Sequence, residues 1–197
     1  MHRLTRTTQR LLSVWIAFLL GATTYAYSAT SRWALTYEGD SFKSQNFLYD
    51  KRVERAISST LGIRRGSGEM AAFQGVPSPV VVNDGRFIWT SSCEPHECPF
   101  NLGFYGMDAE TGEALAARAQ ASRLASSNGG LQHYLVTGST KQSYSLVAAQ
   151  AKGALIEWIR RQRLTFISVV FRCDDQHDVS CIVPLNPSDF SFQNAGQ

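Results

Sequence analysis

The 197-residue chain has little of what most catalytic sites are built from. It has four histidines and four cysteines, and His2 falls in an N-terminal segment expected to be removed. No GxSxG, HExxH, P-loop or GxGxxG fingerprint occurs, so the commonest routes to acyl, metal-assisted and nucleotide chemistry are missing. There is no CxxC for thioredoxin-like redox work and no CxxCH for haem attachment. Six prolines and 15 glycines are too few for a collagenous or low-complexity chain. With 44% hydrophobic and 18% charged residues, the composition suits one globular domain.

A surplus of charge is also missing from most of the chain. The formal net charge is +3, yet Arg3, Arg6 and Arg10 lie in the first 29 residues, which hold no Asp or Glu. Of 19 basic residues, 16 then remain against 16 acidic ones, and residues 30–197 are neutral. A neutral chain has no global field to gather polyanions, so nucleic acid is not an expected partner. The three arginines precede a 12-residue apolar run, Leu11 to Ala22, and then small and polar residues. That order is a secretory signal peptide, with a cut after Ser28 or Ala29. An uncleaved anchor is the alternative and the one route to membrane attachment, although the run is short of the roughly 20 residues that span a bilayer. No cysteine lies near the cut, so a lipoprotein is not expected, and the protein reads as exported and periplasmic.

Past a polar, irregular stretch at 30–39, apolar residues at helical spacing predict a helix over 45–62, stopped by Gly62. A Gly- and Ser-bearing loop to about Gly75 follows. Val80–Val82, the turn Asn83-Asp84-Gly85 and Arg86–Ser92 form a strong hairpin signal. Asn101–Met107 reads as a strand and Asp108–Glu113 as a turn. Residues 113–120 are ambiguous between strand and helix, 121–130 is a loop, and 132–136 is a strand. Ser143–Arg163 is the strongest helix, with Arg160, Arg161 and Arg163 where the helix dipole favours cations. Leu164–Phe171 reads as a buried strand and Cys181–Leu185 as a short one. The expected architecture is a single α+β domain, an antiparallel sheet with one or two helices packed on it. Residues 30–163 form its main body, and 164–197 a C-terminal extension carrying the second cysteine pair.

The cysteines fall in two local pairs, Cys93/Cys98 and Cys173/Cys181. In an exported protein this reads first as two disulfides, each closing a short loop, although three connectivities are open. Zinc is the alternative, through Cys-x2-His-x-Cys in one cluster and Cys-x3-His-x3-Cys in the other, or one ion shared between them. Neither spacing is that of a common zinc module, and no metal or cofactor is expected. With the thiols bonded no nucleophile remains, and the chain is not expected to be an enzyme. His133 reads as a packed strand residue. Asp174, Asp175 and Asp178 around His177 read as a solvated loop, with a weak cation site as the other possibility.

The most informative segment is Cys93-Glu94-Pro95-His96-Glu97-Cys98. A ring closed at Cys93 and Cys98 would project four residues between two strands, with Pro95 fixing one backbone angle. His96 would then be presented with little freedom left to lose on binding. A stapled surface turn with an incidentally exposed histidine is the plainer reading. This hexapeptide closely resembles the C-K-P-H-D-C loop of the Ivy family, the periplasmic inhibitors of vertebrate lysozyme. Cys93, Pro95, His96 and Cys98 match, Glu97 replaces Asp conservatively, and Glu94 stands where the family loop has Lys. The strand and turn before the loop and the strand, acidic turn and Gly after it are similar too. The likeness is specific over about 30 residues and topological over roughly 40–163.

The resemblance implies a protein inhibitor, often dimeric, that inserts this loop into the active-site cleft of c-type lysozyme or a related muramidase. His96 would hydrogen-bond the catalytic carboxylates there, while Glu94 would add an anion beside them. A neutral chain also fits other targets, such as the cell's own lytic transglycosylases. An exported envelope-binding, structural or immunity protein on the same scaffold is the alternative from another class.

Overall fold

The computed structural model describes residues 32–122, 131–141, 143–173 and 181–190, with backbone alone at Cys173 and Cys181. The N-terminal part is helical, but the helix expected over 45–62 is two. Helix α1 (Ser41–Leu48) starts at Asp40, whose carboxylate accepts the backbone N–H groups of Phe42 and Lys43. Helix α2 (Lys51–Leu61) starts at Asp50, which accepts the N–H of Arg52. Asp50 is extended because an aspartate satisfies more orphan donors as an N-cap than inside a helix. Helix α2 ends where expected, at Gly62 in the left-handed region. Residues 32–37, expected to be irregular, form a 3-10 turn whose Trp33 and Tyr37 rings pack on Phe47. A short helix α3 (Ala71–Gln74) lies in the expected loop and buries Ala72 and Phe73.

Eight strands form one sheet: β1 (Val76–Pro77), β2 (Val81–Asn83), β3 (Phe87–Cys93), β4 (Asn101–Asp108), β5 (Ala114–Ala121), β6 (His133–Ser139), β7 (Phe166–Cys173) and β8 (Cys181–Leu185). Strands β3 to β8 lie side by side in sequence order, and β1 and β2 both pair with β3. The β2–β3 turn has positive φ at Asp84 and Gly85, as its sequence predicts. The ambiguous 113–120 segment is strand β5. All pairings are antiparallel except β6 with β7. That exception has a cause: helix α4 (Ala149–Gln162) carries the chain back along the sheet before β7 begins. Helix α4 starts six residues later than its sequence pattern suggests. Residues 144–146 form a 3-10 turn capped by Ser143, and Val147 is extended. Arg160 and Arg161 both bind Glu157, and Arg163 is the left-handed C-cap.

The sheet is covered on both faces, by more helices than expected. Phe87, Trp89, Leu102, Phe104 and Leu115 point to one side and pack on Leu155, Trp158 and Ile159 of α4. Ile88, Tyr105, Met107 and Ala116 point to the other and pack on Phe47, Val53, Ile57 and Phe73. Every residue of β4 is therefore buried, and polar–apolar alternation is lost there. The helical layer lies close on β6, because a Cβ at Gly138 would sit 2.1 Å from the Thr60 carbonyl oxygen. Strand β7, from the expected C-terminal extension, places Val169 and Phe171 in this core.

Candidate functional site

Strands β3 and β4 pair up to Cys93 and Leu102, and the candidate loop spans the gap between them. Cys93 and Cys98 form a disulfide with their Cα atoms 5.4 Å apart. The Glu97 N–H donates to the Glu94 carbonyl at 3.0 Å, closing a four-residue turn with Pro95 and His96 in its centre. His96 has φ of 64°, a left-handed conformation that non-glycine residues adopt at some cost in energy. Pro at the second position with positive φ at the third is the pattern of a type II turn. The loop also holds its strand end: the Glu94 N–H donates to the Asn101 carbonyl, and the Asn101 N–H to that of Glu97. A cis peptide bond joins Cys98 to Pro99. Pro95, His96 and Glu97 are exposed, and the His96 side chain has no hydrogen-bond partner among the described residues.

Beneath the tip lies a polar network absent from the sequence reading. Glu94 is half-buried and turned inward, where one carboxylate oxygen accepts the Asn101 Nδ2–H at 2.5 Å. The Asn101 Oδ1 accepts the Arg118 Nε–H at 3.0 Å, and Arg118 pairs with Glu69. The Glu94 carboxylate is thus hydrogen-bonded below the loop and not free at its tip. His133 is buried, with Nε2 3.1 Å from the Pro99 carbonyl oxygen and Nδ1 3.4 Å from that of Thr165. A carbonyl can only accept, so a proton on Nε2 makes His133 a clamp on the loop's exit. Gly75 supports the entrance, since a Cβ there would lie 2.0 Å from the Cys93 carbonyl oxygen and 2.6 Å from Pro95 Cδ. A groove of about 250 Å³ runs beside the disulfide, between Pro99 and Gln162.

The cysteine pairs do not meet. Cys93 ends β3 beside the start of β4, whereas Cys173 and Cys181 face each other in the β7–β8 ladder at the other end of the sheet. One zinc ion shared between them is thus excluded by topology, and the bonded Cys93 and Cys98 supply no thiolates. Directly opposed residues of an antiparallel pair lie within the Cα separation a disulfide needs. The side chains of Cys173 and Cys181, and the loop with Asp174, Asp175, His177 and Asp178, lie outside the described residues. Among the described residues no group of three or more His, Cys, Asp or Glu is placed to hold a metal, and no helix is long and apolar enough to cross a membrane. The candidate signal segment falls outside them.

Of the residues shaping the site, Asn101, Arg118, Gly75 and His133 carry no motif. Asn101 lies on a strand that the sequence places and Arg118 in the segment it left ambiguous, and only the β4–β5 register makes them neighbours, through Gly103 opposite Arg118 and Asn101 opposite Gln120. No family model, curated protein or solved structure matches the chain.

Proposed function

We propose that the protein is an exported inhibitor of a muramidase, acting through the loop at Cys93–Cys98. One observation carries the reading: a disulfide-closed turn projects from the end of a sheet an imidazole with no hydrogen-bond partner among the described residues. Muramidases cleave their glycan with a pair of carboxyl groups a few ångströms apart. An imidazole set between them donates one hydrogen bond when neutral and two when protonated, and it fills the place of the scissile sugar. Pro95, the disulfide and the clamps at either end remove the loop's freedom before binding, so little ordering entropy opposes insertion. The inward turn of Glu94 supports the same reading, because it keeps an anion away from the target carboxylates.

A turbidity assay tests this. The mature protein should slow cell-wall lysis by c-type lysozyme, and His96→Ala should weaken inhibition about 100-fold, as loss of an interface hot spot does. The balanced charge of residues 30–197 favours extending the panel to lytic transglycosylases, because a strongly basic lysozyme would be met better by an acidic partner. Absence of inhibition at micromolar concentration across that panel would leave the alternative, an envelope-binding or immunity protein.

A further inference from the structure

The loop is too small to be the whole contact. A stable protein–protein interface takes about 800 Å² from each partner, supplied by some 20–30 residues. Only Pro95, His96 and Glu97 project between the bonded cysteines, so binding must spread to the surface around them. Large apolar side chains flank the loop there. Phe100 follows it directly, and its carbonyl accepts the Ala121 N–H. The neighbouring strand end is tied in by Ser122 donating to the Gln132 carbonyl, and Thr165 fixes the Leu131 carbonyl through its hydroxyl. Tyr134 and Ile167 follow at the starts of β6 and β7, where the ladder bulges. Phe100, Leu131, Tyr134 and Ile167 are each 38–45% exposed and lie along the end of the sheet from which the loop projects, from the entry of β4 to the start of β7. Val76, opposite Cys93 on β1, is exposed on the loop's other flank.

We infer that this apolar rim is the second half of the inhibitory surface, seated on the lip of the muramidase cleft while the loop enters it. The inference rests on the function proposed above. Its occupant is the enzyme that receives the loop, because the rim is continuous with the loop's exit at Pro99–Phe100 and His133 clamps the two together. The composition is that of an interface centre, with two aromatic rings and no formal charge among the five positions. Exposed aromatic anchors around a rigid insert also exclude water from the hydrogen bonds it makes.

Phe100→Ser and Ile167→Ser test the rim. Each should weaken inhibition of the responsive muramidase about fivefold and the pair at least 20-fold, with melting temperatures within about 2 °C of the wild type. Leu146→Ser, apolar and exposed at the opposite end of the sheet where the Ala148 N–H donates to Glu113, should change nothing. A photo-crosslinking residue at Leu131 should capture the enzyme, which keeps the test independent of whether the serine variants fold. Full inhibition by the Phe100/Ile167 pair while His96→Ala fails, or no adduct from position 131, would overturn the rim and leave the loop standing. A wild type that inhibits no muramidase would overturn both. A wild-type dimer dissolved by the same two substitutions would overturn the inference by assigning the face to a second copy of the chain.

Discussion

The two ends of the sheet solve the same problem, how to turn a chain between adjacent strands, in opposite ways. At one end the turns are sealed by their own polar groups. Asp108 accepts the backbone N–H groups of Glu110 and Thr111 and two N–H groups of Arg86, which also reaches Glu110. Lys141 pairs with Glu113, and Gln150 donates to Asp84. At the other end the β3–β4 connection is closed covalently and fixed from beneath, and the side chains of Pro95, His96 and Glu97 bond to nothing among the described residues. The difference teaches where to look for function: a turn that spends its polar groups on itself needs only to connect. A turn held rigid by atoms other than its tip leaves the tip free for something else.

Three changes sharpen the contrast, ordered by their expected effect on inhibition. Cys93→Ser with Cys98→Ser should have the largest. Opening so short a ring should lower stability by roughly 2 kcal/mol on the loop-entropy model. Inhibition should weaken about 30-fold as the tip regains freedom, and denaturant melts alongside lysis assays separate the two effects. Equal inhibition with and without the bond would show that the staple does not preorganise the tip.

Asn101→Ala comes next. It strips the Glu94 carboxylate and the Arg118 guanidinium of their shared partner, at a cost of about 1–3 kcal/mol. Glu94 is then released toward the tip, and inhibition should fall about tenfold. Adding Glu94→Gln should restore part of it, because a neutral amide does not repel the target carboxylates. Absence of that rescue would show that Asn101 acts on stability alone.

Asp108→Asn, at the polar end, should leave inhibition unchanged while reducing stability by about 1–3 kcal/mol at neutral pH. Burial pushes the Asp108 carboxyl upward, but hydrogen bonds from Arg86, Thr111 and Glu110 outweigh it and hold the group below the usual carboxylate range. A carboxyl with a lowered folded-state pKa contributes stability above its unfolded value, near 3.9, and loses it as pH falls through the folded value. The wild type should therefore lose stability on acidification below about pH 4 more steeply than Asp108→Asn does. Parallel acid curves would remove the carboxylate from that account.

Much of the fold was legible because its elements carry local signals. The Asn83-Asp84-Gly85 turn, Gly62 and the β-branched run at 164–171 each state a preference that the sheet and helices obey. The misread segments share another cause. Asp50 looked like one more solvated residue of a long helix, and its capping role depended on where the chain breaks. Residues 113–120, rich in alanine, have weak preference either way. They became a strand because β4 and β6 flank them and small side chains let both helical layers approach.

The candidate site divides along the same line. Composition located the charge in the first 29 residues, and the hexapeptide alone marked the loop, its staple and its histidine, because those are properties of neighbours in the chain. That Glu94 faces inward, that His133 clamps Pro99 and that four exposed apolar residues share the loop's end of the sheet were decided by the fold. Those contacts join residues as far apart as 69 and 118, or 99 and 133, and only the register of the β-sheet and the packing of the layers bring them within a few ångströms.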